Sequence, residues 1–101
     1  MNQLNSIILE GNVSEKPVFD EVKGTFDFPI AVKRFYKNED GSEELETSHF
    51  NIRSYGKMAE VFKDKCTVDR GIRVVGRLKE ENSKVIIIAE HIELKPKSKK
   101  A

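Results

Sequence analysis

The chain has little of what a membrane protein, a disulfide-bonded secreted protein or a two-domain protein needs. None of its 101 residues belongs to an apolar run approaching the roughly 20 residues of a membrane helix. Its first residues lack the basic start and apolar core of a secretory signal. The single cysteine, Cys66, excludes an internal disulfide and favours a reducing cytoplasm. We therefore expect a cytoplasmic protein with one globular domain.

Groups for catalysis or metal binding are equally scarce. The two histidines, His49 and His91, are far apart, and neither forms a metal-spaced pair with Cys66. Gly71 and Gly76 interrupt a strand pattern, so they do not form a glycine-rich phosphate loop. We interpret Cys66 as a packed side chain and His91 as solvated or hydrogen-bonded. The sequence predicts no enzymatic activity, no cofactor and no metal site.

Charge is distributed unevenly, although the formal net charge is only +1. Residues 95–101 hold four lysines, which leaves 14 basic against 17 acidic residues elsewhere. Five of the eight residues in Glu39–Glu46 are acidic, whereas residues 33–37 (K-R-F-Y-K) interleave base with aromatics. The acidic segment would repel phosphate, so we expect it to point away from any nucleic acid or to gate its access.

Apolar periodicity predicts three strands in the first half of the chain. The first covers residues 6–10 and ends at a turn signal, Gly11-Asn12, which allows a break there. Extended character resumes past Pro17 over residues 17–22 and stops at Lys23-Gly24. The second strand alternates, and its inward side chains are Phe26, Phe28, Ile30 and Val32. Pro29 within it lacks an amide donor, which predicts a bulge or an edge position. Asp40-Gly41 predicts a hairpin loop into a third strand at residues 47–55, with Phe50, Ile52 and Ser54 inward.

The second half changes period and then alternates again. Residues 56–65 place Met58, Val61 and Phe62 at helical spacing, which predicts one short helix. Two strands follow, joined by a turn at Glu80–Ser83. The fourth strand directs Ile72, Val74 and Leu78 inward.

Five strands with a helix between the third and the fourth are the layout of an OB-fold. This fold is a small Greek-key barrel that binds oligonucleotides across its second and third strands. An SH3-like barrel and a ferredoxin-like sheet are alternatives, although the latter needs a second helix. We expect the domain to cover residues 1–94 and residues 95–101 to form a mobile basic tail.

The third strand has an outward row that is unusual for a solvated face, because all four side chains are flat and able to hydrogen-bond. Single-stranded nucleic acid is held by charged groups on its phosphates and flat groups on its bases. A second such segment precedes the acidic hairpin, and basic residues follow at the helix start and in the fourth strand. The candidate binding residues are Lys33, Arg34, Phe35, Tyr36, His49, Asn51, Arg53, Tyr55, Lys57, Arg73, Arg77 and Lys79. The alternative is an ordinary solvated face, with Phe35 or Tyr36 tucked into the barrel.

Six stretches, in order along the chain, resemble the bacterial single-stranded DNA-binding proteins. They are residues 5–13 (N-S-I-I-L-E-G-N-V), Pro17, residues 28–34 (F-P-I-A-V-K-R), residues 50–60 (F-N-I-R-S-Y-G-K-M-A-E), residues 69–78 (D-R-G-I-R-V-V-G-R-L) and residues 89–94 (A-E-H-I-E-L). The resemblance implies an OB-fold and sequence-tolerant binding of single-stranded DNA in replication, recombination and repair. It also implies pairing of protomers through the first strand, as a tetramer or a dimer.

The resemblance further implies that bases stack on His49 and Tyr55. For the second strand, counting back from His49 gives Phe35, whereas counting forward from Ala31 gives Tyr36. Strand parity favours Phe35, and Tyr36 is the reserve. Phosphates are expected near the neighbouring basic residues.

Three departures from that family stand out. The turn at Glu80–Ser83 is short where the family has a long arm, no Trp is present, and the acidic tail that recruits replication and repair proteins is missing. In these departures the chain resembles primosomal replication protein N, a dimeric OB-fold protein. The ending of that protein, A-E-Q-I-E-L, is similar to residues 89–94. An interaction module of a replication-restart complex with weak DNA binding is therefore the alternative function. Residues 95–101 either add phosphate contacts or only aid solubility.

Overall fold

The computed structural model describes residues 1–96, and its elements follow the predicted order with one strand added. They are β1 (Ile7–Val13), β2 (Val18–Asp20), β3 (Thr25–Lys37), β4 (Glu43–Tyr55), α1 (Gly56–Phe62), β5 (Gly71–Glu81) and β6 (Lys84–Leu94). The second to fifth predicted strands are β3, β4, β5 and β6. Most of the predicted mobile tail, from residue 97 onward, lies outside the described residues.

Five strands close into a barrel in the order β1-β5-β6-β4-β3, and β3 pairs back to β1. The closing pairs include Val13 with Ile30. The β4–β6 pairing is parallel, at Ile52 with Ile87, and the other pairings are antiparallel. With α1 between β4 and β5, this closed five-stranded barrel confirms the predicted OB-fold.

β1 continues through Gly11, so the break that the sequence allowed there does not occur. A β-carbon at Gly11 would overlap the carbonyl oxygen of Ala31, which means that only glycine lets β1 cross so close to β3. The chain instead leaves the barrel after Val13 and returns as β2, which pairs only with β3. Strand β2 thus forms a short outer edge beside the barrel.

Pro29 lies in the interior of β3, and the prediction of a bulge or an edge strand is wrong in detail. Asp27, two residues before Pro29, pairs with β2, and Ile30, directly after it, pairs with β1. Pro29 therefore faces the gap between those two strands. Its carbonyl accepts a hydrogen bond from the Ser14 amide at 3.0 Å. The missing amide donor therefore leaves no ladder hydrogen bond broken.

The core is built from the inward faces predicted for β3, β4 and β5, joined by residues of β6 and of the segment from α1 to Cys66. Its buried members are Val13, Phe26, Phe28, Ile30, Ile52, Ala59, Cys66, Ile72, Val74, Ile87, Ala89 and Ile92. Burial raises the pKa of the Cys66 thiol to about 11, which confirms a packed rather than a reactive cysteine.

Three residues predicted to face inward are exposed: Phe50, Val61 and Leu78. Phe50 lies beyond the β4–β6 pairs, and Leu78 lies beyond the last β1–β5 pair, where each hairpin leaves the barrel. In α1 the buried residue is Ala59, and Val61 points to solvent. The two strand residues were assigned inward because alternation persists after the packing partner has ended, whereas α1 turns the side of Met58, Ala59 and Phe62 toward the core.

Among residues 1–96, no helix has the length and apolar character that crossing a bilayer requires.

Candidate nucleic-acid interface

The outward sides of β3 and β4 form one continuous surface, which we call the β3–β4 face. Directly opposed residues share a face in an antiparallel pair. The register runs through these pairs: Thr25–Tyr55, Asp27–Arg53, Pro29–Asn51, Ala31–His49, Lys33–Thr47, Phe35–Leu45 and Lys37–Glu43. Leu45 and Tyr55 are ten positions apart in β4, which corresponds to about 34 Å of strand. The four outward residues predicted for the third strand are thus brought together with Lys33 and Phe35.

Three flat side chains are spaced along this face: Tyr55, His49 and Phe35. All three are exposed, and the side chain of Phe35 is 72% exposed. Tyr36 lies opposite Glu44 on the reverse side of the hairpin and is 41% exposed. Strand parity therefore separates the two candidates, and Phe35 is the one that shares a face with His49.

The predicted cations fall into two groups. Lys33, Arg34 and Lys57 form no ion pair with any other residue of the described chain. Lys33 lies on the β3–β4 face, Lys57 is exposed at the start of α1, and Arg34 lies on the reverse side of the hairpin opposite Glu46. Of these three, Lys33 is the residue that the β3–β4 register places on the same face as the flat groups.

Arg53, one pair in from the Tyr55 end of the face, already has two carboxylate partners. Its Nε and Nη2 donate to Asp27 at 2.9 and 3.1 Å, and its Nη1 donates to both Glu81 oxygens at 2.9 and 3.2 Å. Hydrogen bonds with Asp27, then with Tyr55 and Glu81, raise the pKa of Arg53 further above its ordinary value. The same interaction with Arg53 lowers the pKa of the Glu81 carboxyl. Arg53 therefore links β3, β4 and the end of β5.

The basic row predicted for the fourth strand is also paired with acids. Arg73 donates to Glu10 and lies between it and Glu93, 3.7 Å away, in a ladder across β1, β5 and β6. These three strands are not part of the β3–β4 face. Two further pairs, Arg77–Glu90 at 3.8 Å and Lys79–Glu81 at 3.5 Å, occupy the remaining members of the row.

The acidic segment is more regular than predicted. Its loop is confined to residues 38–42, with Gly41 at a φ of 87°, and Glu43–Glu46 belong to β4. Alternation places Glu44 and Glu46 on the reverse side of the hairpin. Glu43 remains on the β3–β4 face, opposite Lys37 at the tip. Glu44 and Glu46 therefore point away from the row of flat groups.

A recess of about 250 Å³ opens in the β3–β4 face beside Arg53. Its walls include residues that the sequence analysis did not select: Lys16, Val18, Pro29 and Ile86. They come from the connection after β1, from β2 and β3, and from the start of β6. In an OB-fold, oligonucleotides bind to the face of the second and third strands and to two connections, the one between the first and second strands and the one between the fourth and fifth. That rule was the only available signal, because no local pattern places these residues next to Asn51.

Two comparisons with known sequences cover most of the chain. The sequence pattern of the Single-strand binding protein family matches residues 4–93. A relative named single-stranded DNA-binding protein, from Aquifex aeolicus strain VF5, is 34% identical over an alignment that covers 90% of this chain and 69% of that protein.

Solved structures share the fold. A deletion variant of the single-stranded DNA binding protein from Thermus aquaticus superposes with a TM-score of 0.79 at 25% identity and covers 92% of this chain. A Plasmodium falciparum protein solved in complex with single-stranded DNA gives a TM-score of 0.81 at 18% identity, covering 95% of this chain and 98% of its own. The present chain spans 51% of the Thermus aquaticus chain.

Proposed function

This chain belongs to the single-strand binding protein family, and from that premise we propose that it binds single-stranded DNA, without catalysis, along its β3–β4 face. One observation carries the proposal: three exposed flat groups and an unpaired lysine share a single face about 34 Å long. A strand of nucleic acid needs such a combination of stacking surfaces and positive charge.

In this proposal bases stack on Phe35, His49 and Tyr55. Stacking contributes roughly 1–3 kcal/mol per base and accepts any base, since every base has a π face. Asn51, between His49 and Tyr55 on the same face, offers an amide donor and an acceptor to a base edge. The arrangement supports binding that tolerates sequence.

Phosphates are proposed to lie first at Lys33 and Lys57, which have no acidic partner in the described chain. Arg34, on the reverse side of the hairpin, would reach only a strand that wraps around it. The paired cations Arg73, Arg77 and Lys79 contribute less, because phosphate must compete with a carboxylate at each of them. Each phosphate that is neutralised releases counterions, so affinity falls as salt rises.

We also propose a homo-oligomer that pairs through β1. The edge of Ile7–Gly11 away from β5 has no strand partner within residues 1–96, because β3 pairs only with Asn12 and Val13. An unpaired backbone edge is a template for a second strand. Ile8, on the outward side of the same strand, is exposed.

The proposed setting is replication, recombination and repair in the cytoplasm. Family membership favours this function over an interaction module of a restart complex with weak DNA binding.

A fluorescence-anisotropy titration of labelled oligo-dT at two salt concentrations tests the proposal, with a duplex of equal length as the control. We expect salt-dependent binding to the single strand and much weaker binding to the duplex. Equal, weak binding of both ligands would contradict the proposed function.

A further inference from the structure

The most unusual group on the β3–β4 face is the guanidinium of Arg53, because two carboxylates bind it unequally: Asp27 accepts from two of its nitrogens and Glu81 from one. Resting on the function proposed above, we propose that Arg53 is a phosphate site which Glu81 occupies in the free protein. A phosphate of single-stranded DNA displaces Glu81 from Arg53, while Asp27 keeps the guanidinium in place. Glu81 thereby acts as a built-in competitor of the nucleic acid.

Asp27 is the permanent partner of Arg53. The two residues are directly opposed in the β3–β4 ladder, so their backbones are fixed relative to each other. Asp27 accepts two parallel hydrogen bonds, from Nε and from Nη2. This fork geometry is the strongest arrangement available to an arginine and a carboxylate.

Glu81 is the replaceable partner. It is the last residue of β5, next to a two-residue turn in which Asn82 and Ser83 both have positive φ. Its carboxylate bonds to the single nitrogen Nη1, and its side chain is 35% exposed. The pairing of β4 with β6 is confined to Ile52–Ile87 and Arg53–Ile88, so no ladder at the hairpin tip ties Glu81 to β4.

A displaced Glu81 would not be left without a partner. Lys79 lies on the same side of β5, with its Nζ 3.5 Å from a Glu81 oxygen. Moving the Glu81 side chain toward Lys79 keeps the carboxylate paired while Nη1 becomes available. The exchange therefore replaces one anion with another at Nη1.

The vacated position suits a phosphate group. An arginine donates to phosphate oxygens with the same planar fork that it uses for carboxylates. The Arg53 side chain is 23% exposed and borders a cleft that Tyr55 and Lys23 also line. The cleft lies on the same face as the stacking groups, so a phosphate there belongs to the strand whose bases rest on Tyr55 and His49.

Two glutamates adjacent in the chain provide a matched test. Glu81→Gln removes the competing charge, and Glu80→Gln removes the same charge one residue away, on the other side of the hairpin. Both variants are titrated with labelled oligo-dT alongside the unmodified protein. We expect Glu81→Gln to bind about twofold to fivefold more tightly than Glu80→Gln, the range that an exposed ion pair supports.

A second arm removes the site itself. When Arg53 is replaced by Gln, adding Glu81→Gln should improve affinity no more than adding Glu80→Gln. Arg53→Gln itself should lower the slope of log affinity against log salt by about 1. Thermal unfolding of each variant is followed by circular dichroism to confirm that the barrel is folded.

Two results would overturn the proposal: equal affinities of Glu81→Gln and Glu80→Gln, or a gain from Glu81→Gln that persists without Arg53. Neither result contradicts DNA binding if the unmodified protein binds oligo-dT. If the unmodified protein does not bind oligo-dT, the proposed function fails first and this inference fails with it.

Discussion

Phe35 and Tyr36 are neighbours in the chain but lie on opposite sides of the β3–β4 hairpin, opposed to Leu45 and Glu44 respectively. Only Phe35 shares the face of His49, so the two aromatics make a matched pair for mutation. Phe35→Ala should weaken binding of oligo-dT by about 1–3 kcal/mol, the contribution of one stacked base. Tyr36→Ala should change it less than about twofold. Anisotropy titrations of both variants decide, and a larger loss from Tyr36→Ala would reverse the assignment.

His49 is predicted to stack a base without contributing to the core. It is exposed in the middle of the β3–β4 face. His49→Ala should reduce affinity roughly fivefold, near the lower end of stacking energies, and leave the melting temperature almost unchanged. Thr47→Ala, on the same exposed face, is the control because it removes no flat group, and it should lose less affinity than His49→Ala. Unfolding of His49→Ala would show that the residue belongs to the core.

Gly11 is predicted to be essential for closing the barrel. A β-carbon at this position meets the Ala31 carbonyl, which is backbone and cannot move aside as a side chain would. Gly11→Ala should therefore lower the free energy of unfolding by about 1–3 kcal/mol. Gly71→Ala is the comparison, since its new methyl group would meet nothing closer than a Lys95 side-chain carbon at 3.5 Å. Denaturant titrations that give equal stabilities would contradict this account of Gly11.

Glu10 is predicted to make part of the stability depend on acid pH. Hydrogen bonds from Arg73 and then Lys95 hold the pKa of Glu10 below its ordinary value of 4.5. A carboxyl with a lowered folded-state pKa contributes stability above the unfolded value, and that contribution is lost as pH falls through the folded value. The melting temperature of Glu10→Gln should therefore drop less between about pH 7 and pH 3 than that of the unmodified protein.

Glu15→Gln controls for the loss of one negative charge, because Glu15 has no ion-pair partner among residues 1–96. Its melting curve should follow the unmodified protein through the acid range. Parallel pH dependence of all three proteins would show that the Glu10–Arg73 pair contributes nothing measurable.

Alternation of apolar residues was sufficient to predict most of the fold. It assigned Phe26, Phe28 and Ile52 to the core and turned His49 and Tyr55 outward, because a strand places successive side chains on opposite faces whatever its neighbours are. It failed at Phe50 and Leu78, where parity continues but the barrel does not. It indicated extended chain past Pro17 but did not separate β2 as an outer strand, because the three residues of β2 pair with β3 only after the chain has folded back.

The sequence by itself determined the strands, the single helix and the row of flat side chains, since each depends on residue types at local spacing. The resemblance to a known family then selected the OB-fold barrel among the alternatives. Only the tertiary structure decided which charges meet. Arg53 finds Asp27 on one strand and Glu81 on another, and Arg73 finds Glu10 at a separation of 63 residues. Periodicity tells which side of a strand a residue occupies, but the order of strands around a closed barrel decides what lies beside it. For that reason the sequence identified the cations, and only the fold showed which of them already hold an acid.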